Sequence, residues 1–215
     1  MPDDALARKT TATRRKYRRP IHPHYWLKQY DHRHFQLVVA YDPGRGSTDA
    51  EILRRLGATY VAGGGYYTWH TPQDARAVDL VVVPRRNGDG QVIAHQRVAY
   101  RPERRPVLQI GEARVTIAPI AHGQRLPETT IAAIAADHQP RDPARPTWRE
   151  VIAVKGNQIL LFKFRDATQQ YCERVLKRYG AMKASFAYLD GGRAVSRPGY
   201  DPRKPTHLAV VPRRR

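Results

Sequence analysis

Two pairs of histidines near the start of the chain are the first residues whose spacing could do chemistry. The stretch HPHYWLKQYDHRH holds His22, His24, His32 and His34, with Asp31 among them. Imidazoles bind zinc, copper or nickel, so two His-X-His pairs could form a metal site. The residues between the paired histidines are Pro23 and Arg33, and nothing else in the stretch supports a metal site. We therefore expect these histidines to be solvated or to contact phosphate, with no metal and no cofactor.

Scattered acidic residues argue against a two-metal nuclease or polymerase. Such sites need carboxylates paired on adjacent elements, and the acidic residues in the first half of the chain follow no such pattern: Asp42, Asp49, Glu51, Asp74 and Asp79. Helix caps and turns account for most of them. A metal-independent ribonuclease needs only a histidine or tyrosine and a cation near the 2′-hydroxyl. Weak catalytic candidates for that chemistry are His70 and His207.

Net charge is the most informative property of the composition. The chain has 215 residues, with 38 Lys and Arg against 19 Asp and Glu, which gives a net charge of +19. Most of the cations are arginine, whose guanidinium matches phosphate geometry. An excess of this size predicts a partner of opposite charge, and we expect that partner to be RNA or single-stranded DNA.

The N-terminal arm combines cations with aromatic residues, GGGYYTWH supplies further aromatic residues, and two predicted strand ends supply pairs of arginines. Cations can follow phosphates while rings stack on bases, which is typical of single-stranded nucleic-acid binding. The predicted nucleic-acid-binding residues are Arg14, Arg15, Lys16, Arg18, Arg19, Tyr25 and Trp26 in the N-terminal arm, Tyr67 and Trp69 in GGGYYTWH, and the pairs Arg85 with Arg86 and Arg213 with Arg214. GGGYYTWH itself is not a phosphate-binding loop, because no Lys-Ser/Thr follows its glycines.

The elements that must position these residues occur twice in a similar order. LVVVPRR at 80–86 is echoed by LAVVPRR at 208–214, and Gly57 and Gly180 each follow a helical pattern. The first helix begins with a capping box at Thr48 and Glu51. These repeats predict an α+β fold of two duplicated βαββ units, ferredoxin-like or RRM-like, which form one antiparallel sheet with both helices on one face.

Four segments follow from this interpretation. Residues 1–33 form a basic N-terminal arm, 34–86 the first βαββ unit, 87–150 a connection, and 151–215 the second βαββ unit. Within the connection, PVLQIGEARVTIAPI predicts a hairpin that turns at Gly111, and PETTIAAIAADH predicts a short helix.

The function we predict from the sequence is nucleic-acid binding, within a larger nucleoprotein complex with other protein subunits or a mobile-element system. Doubled ferredoxin-like units with glycine-rich loops are similar to CRISPR repeat-processing proteins, which implies a metal-independent endoribonuclease as the alternative. The C-terminal glycine-rich motif of that family is not evident, so no family is assigned. A ribosome-associated protein is a third possibility. The lone Cys172, the lack of a long apolar run and the lack of a secretory signal favour a cytoplasmic protein without a membrane partner.

Overall fold

Antiparallel strands build most of the chain. The computed structural model describes residues 23–42, 44–65, 67–71, 74–77, 81–84, 90–93, 105–120, 126–127, 129–136, 142–181, 185–189, 191 and 195–213. In chain order the elements are β1 (His24–Asp31), β2 (Phe35–Tyr41), α1 (Asp49–Leu56), β3 (Tyr60–Gly63), β4 (Tyr67–Thr71), β5 (Asp74–Ala77), β6 (Val81–Pro84), β7 (Gly90–Ile93), β8 (Arg105–Gly111), β9 (Val115–Ile120), β10 (Thr130–Ala135), β11 (Thr147–Lys155), β12 (Gln158–Ala167), α2 (Gln169–Arg178), β13 (Phe186–Tyr188) and β14 (Thr206–Pro212).

The described strands pair into four sheets. Their orders are β1-β12-β11-β13, β7-β6-β10-β8-β9, β2-β14-β3 and the small hairpin β4-β5. All of these pairings are antiparallel. The hairpin predicted to turn at Gly111 is confirmed, since β8 pairs with β9 from Arg105 opposite Ile120 to Ile110 opposite Val115.

The main core lies where the three larger sheets face one another. Leu208 and Val210 of β14 enter it, together with residues of β8, β10, β11 and β12. Ala209, between them, faces the opposite way and packs against Ile52 of α1. This alternation is the period of two that a half-buried strand requires. Helix α2 covers the outer face of the β1-β12-β11-β13 sheet through Val175 and Leu176.

The predicted duplication of a ferredoxin-like βαββ unit is wrong. In the three-stranded sheet, β14 lies between β2 and β3, so the last strand of the supposed second copy completes the sheet of the first. The two similar segments, LVVVPRR and LAVVPRR, belong to different sheets. Strand β6 of the first pairs with β7 and β10, whereas β14 of the second pairs with β2 and β3. The helices cover different sheets and do not share one face. The similarity between the copies extends only to a strand, a helix and a following strand.

The short helix predicted within 127–138 is also wrong, because Thr130–Ala135 forms strand β10. This strand is central in the five-stranded sheet, between β6 and β8. Its two faces are both buried, with Ala132 and Ile134 in the main core and Ala133 and Ala135 in a smaller cluster. A short apolar run that is buried on both faces has no period of two, so it resembles a buried helix segment in sequence.

Helix α1 begins and ends as its sequence predicts. The Thr48 side chain accepts a hydrogen bond from the Glu51 amide, and the Glu51 carboxylate accepts one from the Thr48 amide. The helix stops at Gly57, whose φ of 60° is the left-handed conformation that glycine adopts without a steric penalty. Within the described ranges, no helix is long and apolar enough to cross a membrane.

Candidate functional site

The first turn of α1 positions a buried carboxylate. Asp201, in the segment before β14, accepts hydrogen bonds from the amides of Asp49 and Ala50, both at 3.0 Å. Because Thr48 and Asp201 accept the hydrogen bonds of the free amides in the first turn, the side chain of Asp49 is not needed as a helix cap. It turns instead toward the beginning of β14, where its Oδ1 lies 2.6 Å from Nζ of Lys204.

Lys204 and His207 are both completely buried at the start of β14. Lys204 donates to Oγ of Ser196 at 3.2 Å, and Ser196 donates to Asp201 at 2.8 Å. Nε2 of His207 lies 3.5 Å from Oδ1 of Asp49. Burial and the nearby Lys204 ammonium lower the pKa of His207 to about 4, so the imidazole is neutral at physiological pH.

A second ion pair lies on the four-stranded sheet, between β11 and β12. Glu150 of β11 and Lys163 of β12 are direct cross-strand partners, with Oε1 and Nζ 3.1 Å apart. The other carboxylate oxygen, Oε2, accepts a hydrogen bond from the Gly63 amide at 2.7 Å. Lys163 also donates to the Ser196 carbonyl at 2.9 Å. Burial raises the pKa of Glu150, although Lys163 and Lys204 oppose the shift, so Glu150 keeps its proton to a higher pH than an ordinary glutamate.

These two pairs form one site, which we call the buried charge cluster. It consists of Asp49, Glu150, Lys163, Lys204 and His207. Ser196 joins its halves, because its carbonyl accepts from one lysine and its hydroxyl from the other. Charged groups removed from water interact strongly, and buried polar atoms are normally hydrogen-bonded. Asp49 Oδ1 and Glu150 Oε1 each face a lysine ammonium, and among the described residues the ring nitrogens of His207 make no hydrogen bond.

A glycine turn forms one wall of the cluster. Gly64 donates to the Thr206 carbonyl at 3.1 Å, and the Thr206 hydroxyl donates to the Gly65 carbonyl at 3.1 Å. A Cβ added at Gly64 would lie 2.6 Å from Oγ1 of Thr206 and 2.8 Å from Cδ1 of Ile134. Only glycine allows this approach of β3 to β14, so the glycines act here in packing and in presenting the Gly63 amide to Glu150.

Two predicted nucleic-acid-binding residues, Tyr25 and Arg213, make contacts within the molecule. The Tyr25 ring packs against Phe162 and Phe164, in the apolar cluster between α2 and its sheet. Its hydroxyl is 3.1 Å from the Tyr179 hydroxyl. Arg213 donates to the carbonyl oxygens of His32 and Glu112, at 2.9 Å each, so its guanidinium is engaged within the molecule.

Trp26 remains available for contact. It is 50% exposed on strand β1, which pairs with β12 along its whole length. Its indole is stacked on that of Trp148, with the two ring centroids 5.8 Å apart and an interplanar angle of 1°. Of the two weak catalytic candidates, His207 belongs to the buried charge cluster.

The other predicted residues are only partly described or lie outside the described ranges. Tyr67, Trp69 and His70 belong to β4, of which the structure describes the backbone. The remaining predicted residues fall outside the described part of the chain: Arg14, Arg15, Lys16, Arg18, Arg19, Arg85, Arg86 and Arg214. Among the described residues, no group of three or more His, Cys, Asp or Glu side chains is placed to hold a metal ion.

Sequence reasoning missed most of the buried charge cluster. Glu150 and Lys163 each stand within a run of apolar strand residues, in REVIAV and LLFKFR. A charged residue at an inward position of a strand must be paired or functional, since charge is costly to bury alone. That signal identifies Glu150 and Lys163. Asp49 was explained as a helix-start residue, and nothing local to Lys204 indicates burial.

Comparison with known proteins gives a fold but no family. No protein-family model matches the sequence, and no curated protein sequence matches it either. The structure is similar to the catalytic domain of zebrafish N-acetylglucosamine-1-phosphodiester alpha-N-acetylglucosaminidase auto-inhibited by its pro-peptide. The TM-score is 0.62 at 11% identity, over 89% of this chain and 83% of that one. A presumed exported protein of Burkholderia pseudomallei K96243 gives a TM-score of 0.56 at 12% identity, over 87% of this chain and 74% of that one.

At these identities the similarity establishes a shared fold alone. That fold is mostly β, in agreement with the sheets described above. The sequence-based classification of this chain as a ferredoxin-like protein with an internal duplication is therefore corrected: its structural neighbours are a glycosidase catalytic domain and a presumed exported protein.

Proposed function

We propose that the protein is a hydrolase that cleaves a phosphate-containing glycoside, with the buried charge cluster as its active site. The observation that carries the proposal is the pair of carboxylates, Asp49 and Glu150, held among two lysines and a neutral histidine in the interior. The pKa of Glu150 is raised and that of His207 is lowered by burial, and shifted ionisable groups beside charged partners are typical of catalytic sites. The fold shared with a glycosidase catalytic domain supports the same class of reaction.

The two carboxylates have environments that fit different roles. Glu150 has a raised pKa, so it can give a proton to the leaving phosphate oxygen as the bond from that oxygen to the sugar C1 breaks. Asp49 faces the Lys204 ammonium, and it can take a proton from the water molecule whose oxygen bonds to C1. The pair thus supplies the general acid and the general base that glycoside hydrolysis requires.

The lysines account for the phosphate in the proposed substrate. Lys163 and Lys204 place two ammonium groups beside the carboxylates, and the whole chain carries a net charge of +19. When Glu150 carries the proton that a general acid must donate, the two ammonium groups outnumber the Asp49 carboxylate, and this excess positive charge attracts an anionic substrate and stabilises charge that develops on the departing phosphate.

The test is hydrolysis of the p-nitrophenyl diester of α-N-acetylglucosamine 1-phosphate, because each bond gives different products. Cleavage at C1 releases N-acetylglucosamine and p-nitrophenyl phosphate, whereas cleavage at phosphorus releases coloured p-nitrophenol. We expect the first pair of products, in the presence of EDTA as well as in its absence. Glu150→Gln and Asp49→Asn should each lower kcat at least 100-fold, as loss of a general acid or base does.

Asp31→Asn is the matched control, since it makes the same change of carboxylate to amide in a surface ion pair with Arg33. Its activity should equal that of the wild type. Absence of C1 cleavage by the folded wild-type protein, or full activity in both cluster variants, would overturn the proposal. In the second case the cluster would be a structural ion network.

Nucleic-acid binding stays a prediction from the charge of the chain, and neither the fold nor the comparisons test it. The same holds for the endoribonuclease and ribosome-associated alternatives and for additional protein subunits. Incubation with labelled RNA in EDTA separates binding from cleavage. The cytoplasmic location is likewise a prediction, which fractionation of the producing cells tests.

A further inference from the structure

A row of stacked side chains lies on the surface beside the buried charge cluster. The indole of Trp26 is stacked on that of Trp148, and the Arg197 guanidinium lies 5.8 Å from the Trp148 ring. The same guanidinium lies 4.7 Å from the ring of Tyr200. We call these four residues the aromatic ladder. Trp26 and Tyr200 are 50% and 38% exposed, which makes them two of the three large hydrophobic side chains described as exposed.

Three chain connections join the ladder to the cluster. Trp26 is the direct cross-strand partner of Lys163, which in turn is the partner of Glu150. Directly opposed residues of an antiparallel pair point to the same face of the sheet. Trp148 precedes Glu150 by two residues on β11, and Arg197 follows Ser196, the residue that bridges the two lysines.

Burial increases from Trp26 of the ladder, through its cross-strand partner Lys163, to Glu150 of the cluster. Trp26 is half exposed, the Lys163 side chain is 18% exposed, and the Glu150 side chain is 1% exposed. The ladder therefore leads from solvent to the ion pair at the edge of the cluster.

We propose that the aromatic ladder is the subsite that holds the sugar ring of a glycosyl phosphate, with the outer face of Trp26 as the stacking surface. This inference rests on the proposed function and names the part of the substrate that the ladder binds. The face of an aromatic ring is electron-rich, so it attracts the weakly positive C–H groups on one side of a pyranose. The Arg197 guanidinium already lies over the rings of Trp148 and Tyr200, which holds the ladder in place before a ligand arrives and reduces the ordering cost of binding.

The position of Lys163 favours a glycosyl phosphate over a nucleotide. Cross-strand partners have their Cβ atoms about 4.5–5.5 Å apart, so Trp26 and Lys163 are immediate neighbours on one face of the sheet. The Lys163 ammonium contacts Glu150 and the Ser196 carbonyl, so it links the ladder to the buried charge cluster. In a glycosyl 1-phosphate the phosphate is attached directly to the stacked ring. In a nucleotide a ribose separates the base from the phosphate, so the stacked ring and the phosphate are farther apart and fit two adjacent cross-strand partners less well.

The experiment measures binding by isothermal titration calorimetry to the full-length Glu150→Gln protein, in which the acid is removed and the ladder is intact. The ligands are α-N-acetylglucosamine 1-phosphate, methyl α-N-acetylglucosaminide and uridine 5′-monophosphate. We expect the sugar phosphate to bind tightest. Adding Trp26→Ala should weaken that binding roughly tenfold, while Trp26→Phe should retain most of it.

Two further variants separate stacking from charge and from lost surface. Arg197→Lys keeps the charge but loses the planar stacking group, so it should also weaken binding several-fold. Ile131→Ala removes another exposed hydrophobic side chain, on β10, and should leave binding unchanged. Melting temperatures of all variants should lie close to that of the Glu150→Gln parent, which shows that the ladder is not needed for folding.

The outcomes distinguish this inference from the proposed function. If the wild type hydrolyses the diester but Trp26→Ala leaves both the affinity and KM unchanged, the ladder inference fails and the hydrolase stands. If the sugar phosphate binds in a Trp26-dependent way but no hydrolysis occurs, the subsite stands and the reaction fails. If uridine monophosphate binds more tightly than the sugar phosphate and that binding is lost in Trp26→Ala, the ladder is a base-stacking site and the sugar assignment is overturned.

Discussion

His207 should make the stability of the protein depend on pH in a defined window. Its pKa is about 4 in the folded protein and about 6.5 in the unfolded chain, because burial and Lys204 disfavour the imidazolium. Between these two values the unfolded state binds a proton that the folded state does not. The contribution of His207 to stability is therefore complete above pH 6.5 and is lost as the pH falls toward 4.

The size of the effect follows from the shift. Each pKa unit corresponds to about 1.4 kcal/mol, so His207 should cost about 2 kcal/mol of unfolding free energy between pH 7 and pH 5, and about 3 kcal/mol by pH 4. His207→Gln removes the titrating group without adding charge. The variant should therefore lose less stability on acidification than the wild type, whatever its stability at pH 7.

Urea unfolding followed by circular dichroism at pH 7, 6, 5 and 4.5 measures this difference. Lys204, Asp42, Asp49 and Asp201 also interact with His207 and are present in both proteins, so the difference between wild type and variant reports on the histidine. His24→Gln, which changes an exposed histidine on β1, is the matched control. Wild type and His207→Gln losing stability in parallel from pH 7 to 4.5 would refute the reasoning.

Three other changes test the described contacts and the predicted partner. Lys204→Met leaves Asp49 unpaired in the interior and should destabilise the fold by about 3–5 kcal/mol in urea unfolding, whereas Arg55→Met, which breaks a surface pair with Asp42, should cost at most about 1 kcal/mol. Gly64→Ala places a methyl group against Thr206 and Ile134 and should lower stability by about 1–3 kcal/mol; an unchanged melting temperature would contradict the packing described. Deleting residues 1–19 should weaken binding to all RNA sequences alike and reduce the log–log salt slope by roughly 0.7–0.9 per lost phosphate contact, and an unchanged slope would assign the arm another role.

Local signals in the sequence were reliable where the structure depends on neighbours in the chain. The α1 capping box at Thr48 and Glu51, the stop at Gly57 and the hairpin at Gly111 each involve residues a few positions apart, and the structure confirms all three. Such features are determined by short-range hydrogen bonds and by backbone conformation, which single residue types control.

Pairing between distant strands could not be predicted in the same way. The sequence pattern predicts β14 as the last strand of a second repeat, whereas the structure places it between β2 and β3. Strand periodicity gives the buried face of a strand but not its neighbours. The buried charge cluster depends on that pairing, because Lys204, two residues before β14, reaches Asp49 only once β14 has paired with β2, so the site could not be predicted before the topology was known.

The placement of β14 has a consequence for how the chain folds. β2 and β3 do not pair with each other, and both pair with a strand that is synthesised later: Tyr60 of β3 pairs with Val210, about 150 residues on, and Phe35 of β2 with Pro212, nearly 180 residues on. Contacts this distant in sequence raise the contact order and slow folding, because a long loop must close before any pairing energy is gained. During synthesis both strands present unpaired backbone edges, which are the surfaces through which nascent chains aggregate. We therefore expect folding of this sheet to be post-translational, and its slow phase to report the insertion of β14.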